Sequence, residues 1–258
     1  MNAVEVHAVV EGPDDAPVLL LSNSLGADLG MWDPQLPALA EHFRVVRYDT
    51  RGHGRSPAPD GDSTLDDLAD DVIALLDRLG VAQAHVAGLS IGGMTALRLA
   101  VRDPQRVASL AVLCSSAHPG NEQSWQDRAT TVRAEGTGAI ADAVISRWLT
   151  PAYAAAHPDV VARLRATFAA HSDEGYASCC AVLVGMDQRA DLGRITAPTL
   201  VVSGAEDLAL PPEHQQVIAD GIPGARLLSL SPAAHLANIE QEQQVTDALI
   251  AHATEGLS

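Results

Sequence analysis

The stretch HVAGLSIGGMTALRLAV, residues 85–101, decides the fold of this chain. A short apolar run ends at Gly88, Ser90 stands between Gly88 and Gly92, and an Ala/Leu-rich helical pattern follows at once. This order predicts a strand, a sharp turn and a helix. In such a turn the serine backbone is strained and its hydroxyl is exposed, while the flanking glycines remove Cβ atoms that would collide. We therefore predict that Ser90 is a nucleophile; the alternative is a Gly/Ser turn that binds nothing.

Two backbone amides are expected near the Ser90 hydroxyl. The N–H of Ile91 lies at the predicted helix N-terminus, where unpaired donors and the helix dipole favour an anion. The loop Asn23-Ser24-Leu25-Gly26 follows the buried apolar run at 18–21, and a loop after an early strand supplies the second oxyanion donor in this type of turn-based site. We predict that Leu25 provides this N–H; the alternative is a simple connecting loop.

Further strands are predicted at 4–10, 44–48, 107–114, 198–203 and 225–230, with helices between them. The clearest helix spans 64–79, where Thr64 and Asp67 form a capping box before a leucine stripe. Alternating strands and helices indicate a parallel sheet with helices on both faces. The loop DTRGHGRS at 49–56 places His53 between two glycines at a strand end, where ligands collect in open sheets, and we favour a structural role for it.

The alternating pattern stops after the strand at 107–114. Residues 115–186 carry mostly helical signals without a clear strand. We therefore predict a core domain formed by 1–114 and 187–258, and a helical lid formed by 115–186 above the site.

A serine hydroxyl needs a base, and the base needs a carboxylate that fixes its tautomer. His235 stands in the loop after the last predicted strand, and Asp207 stands in the loop after the strand before it. The chain order Ser, Asp, His is the order that a serine turn of this type uses. We predict a catalytic set of Ser90, Asp207 and His235, with Glu206 as the alternative to Asp207.

Composition limits the possible partners of this 258-residue chain. The formal charge of −17 argues against nucleic acid, and no apolar run is long enough to span a membrane. All 16 basic residues are arginine, which excludes lysine chemistry and leaves anion recognition to Arg, His or backbone. The start of the chain lacks a signal-like pattern and the three cysteines suit a reducing compartment, so we expect a cytoplasmic protein.

Several motifs together resemble a known family: SNSLG at 22–26, MWDPQ at 31–35, YDTRGHG at 48–54, GLSIGG at 88–93, EQSW at 122–125, GYASCCA at 175–181 and AHLANIE at 234–240. With these motifs the chain resembles the α/β-hydrolases over nearly its whole length. Within that family it is similar to the 3-oxoadipate enol-lactonases of the protocatechuate and catechol branches of aromatic catabolism. The NSLG loop and the adjacent cysteines are the more specific features of this resemblance.

The resemblance implies an α/β-hydrolase fold with a mostly parallel eight-stranded sheet, helices on both faces and a helical lid insertion. It implies opening of a small lactone or ester by Ser90 through an acyl-enzyme, without a cofactor or a metal. The substrate would bear a carboxylate, and Arg133 and Arg147 with Trp125 are the lid residues expected to bind it.

Other functions remain open at this point. A carboxylesterase, a cofactor-free haloperoxidase or perhydrolase and a C–C bond hydrolase would use the same three side chains. A non-catalytic receptor with the same fold is a further alternative. The sequence also leaves open whether the chain forms a homo-oligomer.

Overall fold

The computed structural model describes residues 3–255, and its centre is a seven-stranded sheet. The strands are β1 Ala8–Glu11, β2 Val18–Ser22, β3 Arg44–Tyr48, β4 Ala84–Leu89, β5 Val107–Leu113, β6 Thr199–Gly204 and β7 Arg226–Leu230. Their spatial order is β1-β3-β2-β4-β5-β6-β7. Only β1 runs antiparallel to its neighbour, so the mostly parallel sheet is confirmed.

The expected eight strands are corrected to seven within residues 3–255. The predicted first strand at 4–10 forms a ladder only from Ala8 onward. Upstream, the Val4 amide donates to Asp71 Oδ1 at 2.6 Å and the His7 amide donates to Ser56 Oγ at 2.8 Å. These amides are therefore satisfied by side chains, and residues 4–7 lie outside the ladder.

Eleven α-helices connect and cover the strands within the described residues. They are α1 Leu36–Leu39, α2 Leu65–Arg78, α3 Ile91–Arg102, α4 Glu122–Glu135, α5 Ala141–Ile145, α6 Pro151–Ala156, α7 Pro158–Ala169, α8 Asp173–Leu183, α9 Pro212–Gly221, α10 Ala237–Glu240 and α11 Glu242–Thr254. The predicted capping box is present on α2, where Thr64 accepts from the Asp67 amide and Asp67 accepts from the Thr64 amide. No helix in this part of the chain is long and apolar enough to cross a bilayer.

Successive strand residues face two different hydrophobic layers. Leu19 and Leu21 belong to the layer that also contains helices of the insertion, whereas Leu20 belongs to the layer beneath α2, α3 and α9. The period of two follows from the pleat of a strand that is buried on both faces. Residues of α4, α5, α7 and α8 belong to the first layer, so the insertion and this face of the sheet share one hydrophobic core.

The segment between β5 and β6 is helical, as predicted, and contains α4–α8. Its short helix α6 begins with Pro151 at the first position and has Thr150 as its N-cap. We call residues 115–186 the helical insertion from here on.

Candidate active site

Ser90 lies in the turn between β4 and α3 with φ 58° and ψ −121°. This left-handed φ is uncommon for a residue with a side chain, and such strain is concentrated at functional sites. The turn is held because the Ser90 amide donates to Leu113 O at 2.9 Å and the Ser115 hydroxyl donates to Ser90 O at 2.6 Å. The strained serine turn expected from the sequence is therefore present.

The glycines around Ser90 are required by close backbone approaches. A Cβ at Gly88 would lie 2.2 Å from Gly92 O, and a Cβ at Gly92 would lie 2.4 Å from Ser22 O. Backbone atoms of neighbouring elements cannot move aside at small cost. The serine can therefore reach the carboxyl edge of the sheet only with glycine at both positions.

His235 and Asp207 meet at the ends of β7 and β6. His235 Nδ1 lies 2.8 Å from Asp207 Oδ2, and both side chains are almost fully buried. Asp207 Oδ1 accepts from the amides of Ala209 and Leu210 at 2.8 and 3.0 Å. Because Asp207 can only accept here, the proton lies on Nδ1 and the Nε2 lone pair of His235 is free to act as a base.

Ser90 and His235 line the same cavity of about 150 Å³. Its wall also includes Leu25 from the loop after β2, and Trp125, Arg128 and Arg147 from the helical insertion. A cavity of this size holds a ligand of about one aromatic ring. The structure thus brings the predicted nucleophile and base to one small cavity, with Asp207 bound to the other side of the histidine ring.

The loop Asn23–Gly26 that carries the predicted amide donor Leu25 is held on several sides. Asn23 Nδ2 donates to Tyr48 O at 2.7 Å, and Trp32 Nε1 donates to Asn23 Oδ1 at 3.1 Å. The Ala27 amide closes a turn onto Ser24 O at 3.1 Å. Ile91 is the first residue of α3, so its N–H has no partner four residues earlier within the helix. Ile91 adjoins Ser90 in sequence and Leu25 lines the same cavity, and the role of their N–H groups as donors stays a prediction.

Of the residues predicted to bind substrate, Trp125 and Arg147 line the cavity but Arg133 does not. The Arg133 guanidinium binds Glu174 and Asp62, at 2.7 and 2.5 Å, on the outside of the insertion. These hydrogen bonds raise the pKa of Arg133 above its already high value. The expectation for Arg133 is therefore corrected: it fastens α4 to α8 and to the loop before α2.

Arg128 is a cavity residue that the sequence reasoning did not select. Its guanidinium carbon lies 4.6 Å from the centre of the Trp125 ring, within range of a cation–π contact. Arg128 follows Trp125 by three residues on α4, whereas Arg133 lies eight residues on, about 12 Å further along the axis. Spacing from Trp125 separates the two arginines only once Trp125 is known to line the cavity.

The two arginines of the cavity wall lack an acidic partner within the described residues. No carboxylate of residues 3–255 forms an ion pair with Arg128 or Arg147. By contrast, arginines elsewhere on the molecule pair widely, as in the buried contact of Arg51 with Asp71 at 2.6 Å. Two unneutralised cations at the cavity favour an anionic ligand.

The three cysteines lie outside the cavity wall. Burial raises the pKa of each thiol, that of Cys180 to about 12 and those of Cys114 and Cys179 further. Such thiols stay protonated at neutral pH and are poor nucleophiles. Within the described part of the chain, no group of three or more His, Cys, Asp or Glu side chains is arranged to hold a metal ion.

Fold and site together define a class of protein. Residues 17–242 match the profile of the alpha/beta hydrolase fold, and the chain belongs to this family of hydrolases.

Individual relatives and one solved structure are similar to this chain over nearly its whole length. The chain is 41% identical over 246 residues to 3-oxoadipate enol-lactonase 2 of Acinetobacter baylyi, with 95% of this chain and 92% of the relative covered. The crystal structure of the enol-lactonase from Burkholderia xenovorans is similar with a TM-score of 0.95 and 43% identity, covering 97% of each chain. A relative from Stutzerimonas stutzeri that is named for carbamate hydrolysis is 33% identical over 258 residues, with 97% of this chain and 96% of the relative covered.

Proposed function

We propose that this hydrolase opens 3-oxoadipate enol-lactone to 3-oxoadipate, with Ser90, His235 and Asp207 as its catalytic residues. The observation that carries the proposal is the pairing of His235 with Asp207 at 2.8 Å beside a cavity that Ser90 also lines. The similarity to two enol-lactonases over nearly the whole chain supports the substrate. No step of this chemistry needs a cofactor.

In the first half of the reaction, Ser90 Oγ bonds to the lactone carbonyl carbon while His235 Nε2 takes the hydroxyl proton. The developing oxyanion accepts from the amides of Leu25 and Ile91, and each such donor contributes about 3 kcal/mol to transition-state stabilisation. The ring C–O bond then breaks, and the leaving enol oxygen receives the proton from His235. The enol becomes a ketone, which draws the step forward.

In the second half, water replaces the serine. His235 Nε2 takes a proton from water, whose oxygen adds to the acyl carbon, and the proton then returns to Ser90 as the ester bond breaks. Asp207 holds the imidazole in the required tautomer and stabilises its protonated form. The products are 3-oxoadipate and the free enzyme, so every atom of the lactone and of one water is accounted for.

The helical insertion is the proposed lid of this site, above a core formed by 1–114 and 187–258. It supplies Trp125, Arg128 and Arg147 to the cavity wall. We propose that Arg128 and Arg147 bind the substrate carboxylate, because both cations face the cavity without an acidic partner among residues 3–255. The Trp125 ring, with its centre 4.6 Å from the guanidinium carbon, helps to hold Arg128 in place.

Carbamate hydrolysis is the second candidate, supported by the relative from Stutzerimonas stutzeri. Both reactions attack a carbonyl carbon and both use an oxyanion site, so the cavity geometry serves either. The substrates differ in the leaving group: an enol oxygen that stays attached to the acyl chain in the lactone, and an amine in the carbamate. Arginines placed to bind a remote carboxylate favour the lactone.

A substrate comparison tests the proposal. Purified protein is given the enol-lactone, p-nitrophenyl acetate, a vinylogous diketone and a carbamate, and the initial rates are compared. We expect kcat/KM to be highest for the lactone and to be lost in Ser90→Ala. Ser146→Ala, an exposed serine on the insertion, is the matched control and should retain full activity. Lactone turnover no faster than the uncatalysed rate would exclude the enol-lactonase assignment.

A further inference from the structure

Leu25 stands in a tight turn formed by residues 24–27, and the shape of this turn depends on the orientation of its central peptide. Ser24 O accepts from the Ala27 amide at 3.1 Å, and Gly26 stands at the third position with φ +84°. A positive φ at this position is typical of a type II turn, which differs from type I by rotation of its central peptide. Here the central peptide joins Leu25 to Gly26. Its rotation would change ψ of Leu25 and φ of Gly26 and so alter the turn on which Leu25 stands. The Leu25 N–H belongs to the preceding peptide and keeps its position only while this turn is held.

His53 holds this central peptide from behind. The Gly26 amide donates to His53 Nε2 at 3.0 Å, and His53 Nδ1 donates to Arg51 O at 3.1 Å. The ring is only 1% exposed. Because a carbonyl can only accept and an amide can only donate, the two contacts fix one neutral tautomer with its lone pair on Nε2.

The neutral form of His53 is also fixed by its surroundings. Burial, with a further contribution from His171, lowers the pKa of His53 to about 3. The ring packs against His171 at 4.8 Å and Tyr176 at 6.1 Å between centroids. Nε2 therefore remains an acceptor throughout the pH range in which such an enzyme works.

The loop 49–56, which carries His53, lies against the helical insertion. Gly52 approaches so closely that a Cβ on it would lie 2.3 Å from the Cα of Gly175, in the first turn of α8. His171, just before α8, accepts from the Gly54 amide at 3.0 Å. The insertion thus packs against the His53 loop, and the His53 loop packs against the turn at Leu25.

We propose that His53 is a positioning residue for the oxyanion site: its Nε2 holds the Gly26 amide and with it the turn 24–27, which presents the Leu25 N–H to the reacting carbonyl oxygen. This inference rests on the proposed function, since it assigns a role to the same site. His53 touches no substrate and transfers no proton. Its effect is on the transition state alone, because the oxyanion forms only there.

Two substitutions separate this role from packing. In His53→Gln, the side-chain Oε1 can reach the former position of Nε2 and accept from the Gly26 amide. In His53→Asn, the shorter amide reaches only the former position of Nδ1, keeps the contact with Arg51 O and leaves the Gly26 amide unpaired. Both variants remove the ring from its stack with His171, so they share the packing loss.

The assay uses p-nitrophenyl acetate, so that the result does not depend on the lactone assignment. At a temperature at which both variants are folded, we expect a kcat near that of the wild type for His53→Gln and a kcat about tenfold or more lower for His53→Asn. The melting temperature of His53→Asn should also be the lower of the two, because its Gly26 amide has no acceptor. KM should change little, because ground-state contacts remain. Equal kcat in the two variants, whether retained or lost, would contradict a positioning role.

Two further outcomes are also decisive. If His53→Asn does not fold, His53→Ala is assayed with added imidazole, which should restore kcat by supplying the lone pair; no restoration contradicts the proposal. If the wild type hydrolyses the ester but not the lactone, the enol-lactonase assignment fails and the His53 test still applies. A wild-type chain that hydrolyses neither contradicts both proposals.

Discussion

Replacing Asp207 by Asn changes one atom and should reverse the tautomer of His235. In the wild type, Asp207 Oδ1 accepts from the amides of Ala209 and Leu210, and Oδ2 accepts from His235 Nδ1. An asparagine has only one oxygen. Because two backbone donors face the Oδ1 position and a single ring nitrogen faces the other, the oxygen takes the Oδ1 position and the NH₂ faces His235.

That orientation sets the size of the effect. The asparagine NH₂ would donate to His235 Nδ1, so the ring proton moves to Nε2 and the lone pair that should accept from Ser90 is lost. A wrong tautomer of this kind costs about 10⁴-fold in kcat, or about 5 kcal/mol. All three hydrogen bonds at position 207 are still made, so the melting temperature should remain close to that of the wild type.

Steady-state hydrolysis of the enol-lactone and thermal melting check this prediction. Asp207→Ala is the control: it should lose a similar amount of activity, and it should also be less stable because the amides of Ala209 and Leu210 lose their acceptor. The reasoning would be refuted if Asp207→Asn retained kcat within tenfold of the wild type, or if it lost activity only through unfolding.

Three further predictions concern the turn, the anion site and pH. Gly92→Ala places a Cβ 2.4 Å from a carbonyl oxygen of β2, and we expect the free energy of unfolding measured with denaturant to fall by about 3 kcal/mol or more. Gly138→Ala is the control: no atom of residues 3–255 outside its own turn lies within 4 Å of the added Cβ, and its free energy of unfolding should be nearly unchanged. Arg128→Gln should raise KM for the lactone about tenfold through loss of a charge-assisted hydrogen bond, while Arg133→Gln should leave KM unchanged; equal KM values in the two variants would refute the anion site. The pKa of His53 falls from 6.5 to about 3 in the folded state, so the unfolded chain binds a proton at this residue more readily than the folded chain does. The contribution of neutral, buried His53 to the free energy of unfolding is therefore complete above about pH 6.5 and is lost as the pH falls toward 3. Melting temperatures of the wild type and of His53→Gln across this range should converge at low pH, and parallel curves would contradict the linkage.

The positions of Ser90, Asp207 and His235 could be predicted because each follows a strand of a parallel sheet. Carboxyl ends of parallel strands meet at one edge, so residues far apart in sequence are placed together by topology alone. The glycines two positions on either side of Ser90 indicate that the backbone passes close to other backbone atoms there, as the structure shows. Local pattern and chain order were sufficient for this part of the site.

The anion site could not be predicted in the same way. Arg128 and Arg133 lie on one helix, and their different directions depend on how α4 packs against α8 and on the acidic partners Asp62 and Glu174. Those partners are distant in sequence from α4. Helical periodicity gives a face but not the neighbour that face meets, and so the prediction named Arg133, which lies outside the cavity wall, and not Arg128, which lines it.

His53 was recognised as a loop residue with a structural role, but its partner was not. The contact with Gly26 joins two loops that follow different strands, and β2 and β3 are neighbours in the sheet. A single sequence contains no signal for a hydrogen bond between a ring nitrogen and a backbone amide 27 residues away. The structure was needed to connect this histidine with the turn that carries Leu25.

Rapid quenching of the reaction with the enol-lactone, followed by mass spectrometry of the protein, tests the central claim most directly. In a lactone the leaving oxygen stays attached to the acyl chain, so the account predicts a transient adduct with the full mass of the substrate on the peptide that contains Ser90. The adduct should be absent in Ser90→Ala. Catalytic turnover that persists in Ser90→Ala, or an adduct on another residue, would contradict the account.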